Sequence, residues 1–249
     1  MSKNWKIVTS LAKVYNIPWE SKNSIDIEQC RCKTPLLKLP IKTNSHLWLF
    51  DLTKFDHNPF LEILSVDEAE KLNKIVIPLE QQRRAKSRIL LRLILANYLK
   101  ISPSEINFIY GGNGKPILGN ISFNISHSAN YLAVLIDSIR AIGVDIESEL
   151  RTSKVINSLA KRFFYIQEFN ALKYLNSKEQ FILFNRIWTL KEAALKSTGT
   201  GIFLIDKAPD FSFLISEKLD SKIQFYKTKN HKGFTFYNEE LCLSVATDN

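Results

Sequence analysis

Apolar and polar residues recur along this chain with two different periods, and these periods predict a mixture of helices and strands. The segment His46–Leu52 alternates as a buried strand does, whereas apolar residues recur at helical spacing from Pro78 to about Lys100. Between them, Ser65 and Glu68 have the capping-box spacing that begins a helix. Further strands are predicted at 107–110, 121–125, 131–136, 139–147, 210–216, 223–227, 233–237 and 241–246, and further helices at 153–173 and 178–198.

The strand predicted at 139–147 places two carboxylates side by side. Because side chains alternate across a strand, Gly143, Asp145 and Glu147 share one face. The two carboxylates would lie about 7 Å apart, and the glycine leaves room beside them. Neighbouring carboxylates repel, which indicates either a cation between them or an edge strand that faces water.

The helix predicted at 178–198 carries an acidic and a basic side chain on one stripe. Trp188, Glu192 and Lys196 are spaced by four positions, and Lys191 flanks them. Glu192 and Lys196 could form an ordinary ion pair within the helix. If the fold instead brings this helix to the strand with the two carboxylates, the three acidic groups would make a pocket for a divalent cation, rimmed by positive charge.

A stripe of three arginines is predicted on the helix that begins at Pro78. Arg84, Arg88 and Arg92 are spaced by four positions and share one face. Like charges at this spacing repel unless an anion or a carboxylate lies among them. The alternative is a solvated face on which the arginine stems cover apolar surface.

A histidine is predicted where a strand gives way to a turn. The strand at 121–125 leads into Ser126, His127 and Ser128, and the next strand begins at Tyr131. Such places often carry working side chains, and the polar neighbours favour a functional role. A structural or merely exposed histidine is the equal alternative.

Charge and cysteine content narrow the class of protein. The chain has 249 residues and a net charge of +9, which indicates either an acidic partner or a basic surface that maintains solubility. Its three cysteines make neither a disulfide framework nor a complete zinc site. No signal peptide or bilayer-spanning run is evident, so we expect a cytoplasmic protein without a membrane partner. Residues 1–45 are predicted to be an irregular arm of unknown role.

Taken together, several segments resemble the large, monomeric type of 4'-phosphopantetheinyl transferase, the group typified by the activator of surfactin synthetase. GVDIE and WTLKEAALK match the GxDxE and W-x-x-K-E-A-x-x-K hallmarks of that family at every fixed position. The resemblance covers about Leu47 to Ala246. In chain order, the segments that carry it are SRILLR (87–92), NGKPIL (113–118), FNISHS (123–128), GVDIE (143–147), AKRFF (160–164) and WTLKEAALK (188–196).

The resemblance implies a fold and a reaction. The fold would be α+β, with two similar α/β-plait-like halves at 46–138 and 139–249, related by pseudo-twofold symmetry and with the active site at their interface. The reaction would transfer 4'-phosphopantetheine from coenzyme A to a serine of a carrier protein and release adenosine 3',5'-bisphosphate, assisted by Mg²⁺ or Mn²⁺. The implied partners are acyl carrier protein or the carrier domains of fatty-acid, polyketide or peptide synthases, and the enzyme would be a monomer.

The resemblance also implies roles for individual residues. Asp145, Glu147 and Glu192 would hold the metal. Glu192 would also take the serine proton, directly or through a metal-bound water, and Lys196 would offset the charge on the phosphates. Residues at the family's coenzyme contacts are Lys71, Arg83, Arg88, Arg92, Lys115, Ser126, His127 and Lys196.

Three further residues have less certain places in the family pattern. Glu68 departs from it, because relatives often carry a basic residue there, and this puts one edge of the 3'-phosphate site in doubt. Trp188 is expected to pack beside the catalytic helix. Lys191 is expected either to position the metal face or to lie on the surface.

Two other functions compete with this assignment. A nucleic-acid-binding protein would explain the net charge, but no recognised binding motif is present and the charge is spread along the chain. The acidic carriers of the family explain the charge equally well, so we expect no nucleic-acid partner. A degenerate relative that binds coenzyme A or carriers without turnover is the other alternative, and the intact carboxylate set argues against it.

Overall fold

The computed structural model describes residues 12–18, 44–111, 116–119, 121–149, 151–199, 205, 208–216, 219 and 221–249. It has the mixed helix and sheet content expected of an α+β protein. The helices are α1 (Val66–Asn73), α2 (Pro78–Leu99), α3 (Ser153–Phe163), α4 (Ile166–Leu172) and α5 (Ser177–Thr198). The strands are β1 (Ala12–Pro18), β2 (Asn44–Asp51), β3 (Ile109–Tyr110), β4 (Pro116–Ile117), β5 (Ser122–Ser128), β6 (Tyr131–Asp137), β7 (Ile142–Glu147), β8 (Ile223–Lys227), β9 (His231–Tyr237) and β10 (Cys242–Asp248).

The described residues group into two compact units. The first contains the residues up to 111 together with 116–122 and 129–139. The second contains 123–128 and the residues that follow 139. Most of strand β5 therefore belongs with the second unit, although it precedes β6 in the chain.

Antiparallel strands and one long helix form the first unit. Trp48 of β2 lies opposite Val14 of β1 on one side and opposite Val134 of β6 on the other. Helix α2 begins with Pro78 and ends where Lys100 adopts a left-handed conformation, with a φ of 58°. Strand β1 and the first two residues of β2 correct the expectation that residues 1–45 are irregular throughout, and residues 1–11 and 19–43 lie outside the described residues.

The second unit has a four-stranded antiparallel sheet in the order β7–β10–β9–β8. Helix α5 approaches β7 so closely that a Cβ atom on Gly143 would lie 1.9 Å from the carbonyl oxygen of Ala193. The glycine was expected to leave room beside the carboxylates, and the helix occupies that room. A residue without a side chain is therefore required where the carboxylate strand meets the helix.

Two predicted elements of the second unit are wrong. The helix predicted at 153–173 is two helices, because Phe164 is extended (φ −96°, ψ 154°) and Tyr165 begins a new helix. The backbone N–H of Tyr165 donates to Glu168 at 2.8 Å, the capping interaction that restarts the helix. The strand predicted at 210–216 is a 3₁₀ turn at Ser212–Ser216, and the buried side chains of Phe211 and Leu214 are three positions apart, one turn of such a helix.

None of the helices in the described ranges combines the length and apolar character that crossing a membrane requires.

Candidate active site

The carboxylate strand β7 is held by side chains of β5. Asn124, Ser126 and Ser128 lie at alternate positions of β5 and therefore on the same face. Their side chains accept hydrogen bonds from the backbone N–H groups of Val144, Ile146 and Ser148 at 3.0, 3.4 and 3.1 Å. Because three side chains fix three successive alternate positions of the strand, the carboxylates between those positions have a defined register.

Asp145 is buried in a network of hydrogen bonds and charge. Its Oδ1 accepts a hydrogen bond from the Ser126 hydroxyl at 2.8 Å and one from Lys196 Nζ at 2.6 Å. Lys196 Nζ also donates to Ser126 Oγ at 3.1 Å and to the carbonyl oxygen of Val144 at 3.3 Å. The lysine on α5 therefore binds the carboxylate strand directly, and the expected joining of the two motifs is present within the second unit.

Glu192 lies one turn before Lys196 on α5, and it is only 3% exposed. Burial raises the pKa of its carboxyl to about 8, and the nearby charges of Asp145 and Glu147 add to this effect while Lys196 opposes it. Glu192 on α5 therefore lies near the two carboxylates of β7. The ordinary intrahelical ion pair of Glu192 with Lys196 is not formed, since Lys196 pairs with Asp145 instead.

Glu147 is bound at both carboxylate oxygens. Arg151 donates to Oε1 at 2.7 Å, and the Ser128 hydroxyl donates to Oε2 at 3.2 Å. Burial raises the pKa of Glu147, with a further contribution from Asp145, while the arginine lowers it. Arg151 also lies over the ring of Trp188, 6.0 Å from its centroid. Trp188 lies on α5 itself, where its ring contacts those of Phe163 and Phe184 and also this cation of the site.

The basic helix α2 of the first unit carries its own charge cluster. Glu68 lies between Arg88 and Arg92, with N–O distances of 3.3 and 2.7 Å. Both guanidinium groups also face the ring of Phe108, at 5.4 and 5.5 Å. A carboxylate among the arginines, one of the two interpretations of the stripe, is therefore present, while Arg84 pairs with Glu80.

Two family descriptions match the chain. The description "4'-phosphopantetheinyl transferase superfamily" matches residues 141–246, and "4'-phosphopantetheinyl transferase, N-terminal" matches residues 51–138. The 4'-phosphopantetheinyl transferase HetI of Nostoc sp. is 37% identical over 183 residues, which cover 70% of this chain and 76% of the relative. The chain belongs to the 4'-phosphopantetheinyl transferase family. The family assignment made from the sequence is confirmed, and with it the assignment as a transferase enzyme.

Two relatives of lower sequence identity are also named 4'-phosphopantetheinyl transferase. The 4'-phosphopantetheinyl transferase Sfp of Bacillus subtilis is 27% identical over 183 residues, covering 72% of this chain and 78% of the relative. The transferase gsp of Aneurinibacillus migulanus is 28% identical over 209 residues, covering 82% and 79%.

The remaining predicted coenzyme contacts of this transferase lie in several places. Lys71 Nζ lies 4.9 Å from the ring centroid of the exposed Tyr110, and Arg83 Nε donates to the side-chain oxygen of Asn130 at 3.1 Å. His127 is the partly buried penultimate residue of β5, just before the turn at residues 129–130, and by alternation it lies on the face opposite Ser126. Lys115 lies outside the described residues.

Arg92 is placed differently from the other predicted phosphate ligands. Its side chain is 2% exposed, and besides Glu68 it donates to the carbonyl oxygens of Pro103 and Ile106 at 2.8 and 3.0 Å. A guanidinium bound in this way to protein groups joins α1, α2 and the turn at Pro103–Glu105. The burial argues against direct contact between Arg92 and a phosphate.

Lys191 neither positions a metal face nor lies on the surface. It is fully buried and pairs with the fully buried Glu168 at 3.0 Å. Its Nζ also donates to the carbonyl oxygen of Pro209, and Glu168 accepts a hydrogen bond from the backbone N–H of Phe211 at 2.7 Å. The pair therefore joins α4, α5 and the segment around residue 210, and burial lowers the pKa of the lysine and raises that of the glutamate.

Two of the acidic groups offer a buried oxygen to a divalent cation. Oδ2 of Asp145 and Oε1 of Glu192 are buried and accept no hydrogen bond from any residue that the structure describes. Buried carboxylate oxygens without a partner are costly, and such oxygens are the ligands that Mg²⁺ prefers. In the described ranges no three acidic, histidine or cysteine side chains lie in a ready metal cluster, and Lys196 and Arg151 each pair with one of the carboxylates. The donor set fits a cation at Asp145 and Glu192, and the full three-ligand site stays a prediction.

Sequence reasoning missed several residues of the site. Asn124 and Ser128 could have been found, because with Ser126 they form a run of small polar residues at alternate strand positions. Arg151 could not have been identified as a site residue from the sequence, since it lies outside every predicted helix and strand. Its place beside Glu147 is visible only in the structure.

Proposed function

We propose that this enzyme transfers 4'-phosphopantetheine from coenzyme A to a serine hydroxyl of an acyl or peptidyl carrier protein in a Mg²⁺-dependent reaction. The observation that carries the proposal is the network of Ser126, Asp145, Lys196 and Glu192, whose two unpartnered carboxylate oxygens lie beside a lysine. A pyrophosphate with its cation needs this combination of oxygen ligands and fixed positive charge. The two similar halves and their pseudo-twofold relation stay predictions of the family resemblance.

The serine oxygen forms a bond to the phosphorus that carries pantetheine. The bond from that phosphorus to the bridging oxygen breaks, and adenosine 3',5'-bisphosphate leaves with the electron pair. Asp145, Glu147 and Glu192 are the residues that would hold Mg²⁺ or Mn²⁺. A bound divalent cation supplies charge stabilisation for the phosphate oxygens in such reactions.

Glu192 is the candidate acceptor of the serine proton. A general base works best when its pKa lies near the working pH. Without a cation, burial raises the pKa of this carboxyl to about 8, and a bound cation would lower it again. Its Oε1 accepts no hydrogen bond from the described residues, and the proton would pass to this carboxylate directly or through a water bound to the cation. The position on the rigid helix α5 keeps this oxygen beside the network of Asp145.

Lys196 is the candidate phosphate contact. Its side chain is 29% exposed, so the ammonium group can meet a ligand while it remains paired with Asp145. Arg88, with 26% side-chain exposure, offers a second accessible cation in the first unit, and we propose it as a coenzyme contact. An acidic carrier would account for the net charge of +9 through attraction at the encounter stage.

The experiment is to mix the enzyme with coenzyme A, Mg²⁺ and each of several apo-carrier proteins, and to weigh the carriers by mass spectrometry. We expect a gain of one phosphopantetheine group on at least one carrier, and no gain on a carrier whose acceptor serine is replaced by alanine. The same mixture with a chelator in place of Mg²⁺ should show no gain. An absence of modification on every carrier tested would contradict the proposal.

A further inference from the structure

Arg83 differs from the other arginines of helix α2 because it has no carboxylate partner among the described residues. The other three pair with Glu80 or Glu68, at N–O distances of 2.6, 3.3 and 2.7 Å. Their charges are therefore balanced within the protein, whereas no neighbouring side chain in the described ranges balances the charge of Arg83. A guanidinium in this state attracts an anion.

The contact that Arg83 does make is with the neutral side chain of Asn130. Its Nε donates to Asn130 Oδ1 at 3.1 Å, and both side chains are partly buried. Neither terminal nitrogen of the guanidinium donates to a residue that the structure describes. An amide oxygen on Nε fixes the plane of the guanidinium without removing its charge, and the two terminal nitrogens are left to bind an anion as a fork.

The turn that carries Asn130 is held by its backbone, independently of that side chain. The N–H of Leu52 donates to the carbonyl oxygen of Asn130 at 2.7 Å, and Lys86 Nζ of α2 donates to the carbonyl oxygen of Leu52 at 2.8 Å. The preceding residue, Ala129, has a left-handed φ of 45°, which an alanine keeps only where its surroundings hold it. Replacing the side chain of Asn130 should therefore leave the turn in place.

We propose that Asn130 is a positioning residue, which orients the guanidinium of Arg83 so that it binds a phosphate group of coenzyme A. The family resemblance implies Arg83 as a coenzyme contact and assigns no role to Asn130. A fixed guanidinium fork matches the oxygens of a phosphate, and coenzyme A carries such oxygens on its pyrophosphate and on its 3'-phosphate. This inference rests on the proposed function, since coenzyme A is the substrate of that reaction.

The test is the affinity for coenzyme A in the presence of Mg²⁺, measured by titration calorimetry. Asn130→Asp keeps the shape and the acceptor oxygen of the side chain, but its carboxylate would balance the charge of Arg83 and repel a phosphate. We therefore expect coenzyme A to bind about tenfold more weakly than to the wild type, with a Tm that is unchanged or higher. A residue with only a structural role would not separate affinity from stability in this way.

A double-mutant cycle measures the coupling between the two residues. Asn130→Ala should weaken binding about threefold, and both Arg83→Ala and the double variant should weaken it about tenfold, because Asn130 acts only through Arg83. The control Asn58→Asp adds the same charge at an exposed position of the first unit and should bind coenzyme A within about twofold of the wild type. In the transfer reaction, Asn130→Asp should raise the KM for coenzyme A with little change in kcat.

Dephospho-coenzyme A, which lacks the 3'-phosphate, identifies the group that Arg83 binds. A loss of affinity in Asn130→Asp for coenzyme A alone assigns the 3'-phosphate, and an equal loss for both compounds assigns the pyrophosphate; either result supports the inference. Wild-type affinity for coenzyme A in Asn130→Asp would overturn it, and so would losses from Asn130→Ala and Arg83→Ala that add in the double variant. Failure of the wild-type enzyme to bind coenzyme A would instead contradict the proposed function.

Discussion

Replacing Glu192 with glutamine is expected to stabilise the enzyme at alkaline pH when no divalent cation is present. The pKa of this buried carboxyl is raised from 4.5 to about 8, so the folded state binds its proton more tightly than the unfolded state does. The contribution of Glu192 to stability therefore falls as pH rises from about 4.5 to about 8 and remains low above that range. Glu192→Gln stays neutral throughout and avoids this loss.

The size of the effect follows from the two pKa values. At about 1.36 kcal/mol per pKa unit, the difference corresponds to roughly 5 kcal/mol for an isolated group. Since Asp145, Glu147 and Lys196 share the interaction, we expect about 2 kcal/mol at pH 9. For a chain of this length that is an increase in Tm of about 4–8 °C.

The assay is thermal unfolding in a chelator from pH 5 to pH 9. Glu192→Gln and the wild type should have similar Tm values near pH 5 and diverge as pH rises, while the exposed-site control Glu149→Gln follows the wild type. Mg²⁺ added at pH 8.5 should raise the Tm of the wild type but not that of Glu192→Gln. Parallel curves for the wild type and Glu192→Gln across the whole range would refute the reasoning.

Three further substitutions test other parts of the structure. Lys191→Met should lower the free energy of unfolding, measured in urea, by about 3–5 kcal/mol, because it leaves Glu168 as a buried charge without its partner. The double variant with Glu168→Leu should recover much of that loss. Gly143→Ala should abolish soluble folded protein or lower the Tm sharply, because its Cβ would overlap the backbone of α5, and a wild-type Tm would contradict that packing. Arg88→Ala should weaken coenzyme A binding about tenfold in calorimetry, with little change in Tm. Arg92→Ala should chiefly lower the Tm, because its side chain is buried. If the two variants lost the same affinity for coenzyme A, burial would not separate the roles of the two arginines.

The local pattern predicted most of the regular structure because each element carries its own signal. Ser65 and Glu68 mark the beginning of α1, and both form the expected capping interactions. The prediction of one continuous helix at 153–173 was wrong because helical periodicity continues across Phe164. The second helix begins where Glu168 accepts a hydrogen bond from the backbone N–H of Tyr165. Glu168 also pairs with Lys191, a contact between different helices that leaves no periodic trace in the sequence.

The motif residues of the site were predictable, whereas the charges that control them were not. GVDIE and WTLKEAALK identified Asp145, Glu192 and Lys196, and the structure brings these together. Which cation pairs with which carboxylate depends on distances set by tertiary packing. Arg151 on Glu147 and Lys191 on Glu168 could not be read from spacing alone.

The most direct test of the central claim is the initial rate of phosphopantetheine transfer by Asp145→Ala, compared with the wild type and with the control Glu149→Ala. Carrier modification would be followed by mass spectrometry, and adenosine 3',5'-bisphosphate release would be followed in the same samples. We predict that Asp145→Ala folds but has no detectable transfer, while Glu149→Ala and the wild type form both products at equal rates. Transfer by Asp145→Ala at the wild-type rate would contradict the assignment of this network as the active site.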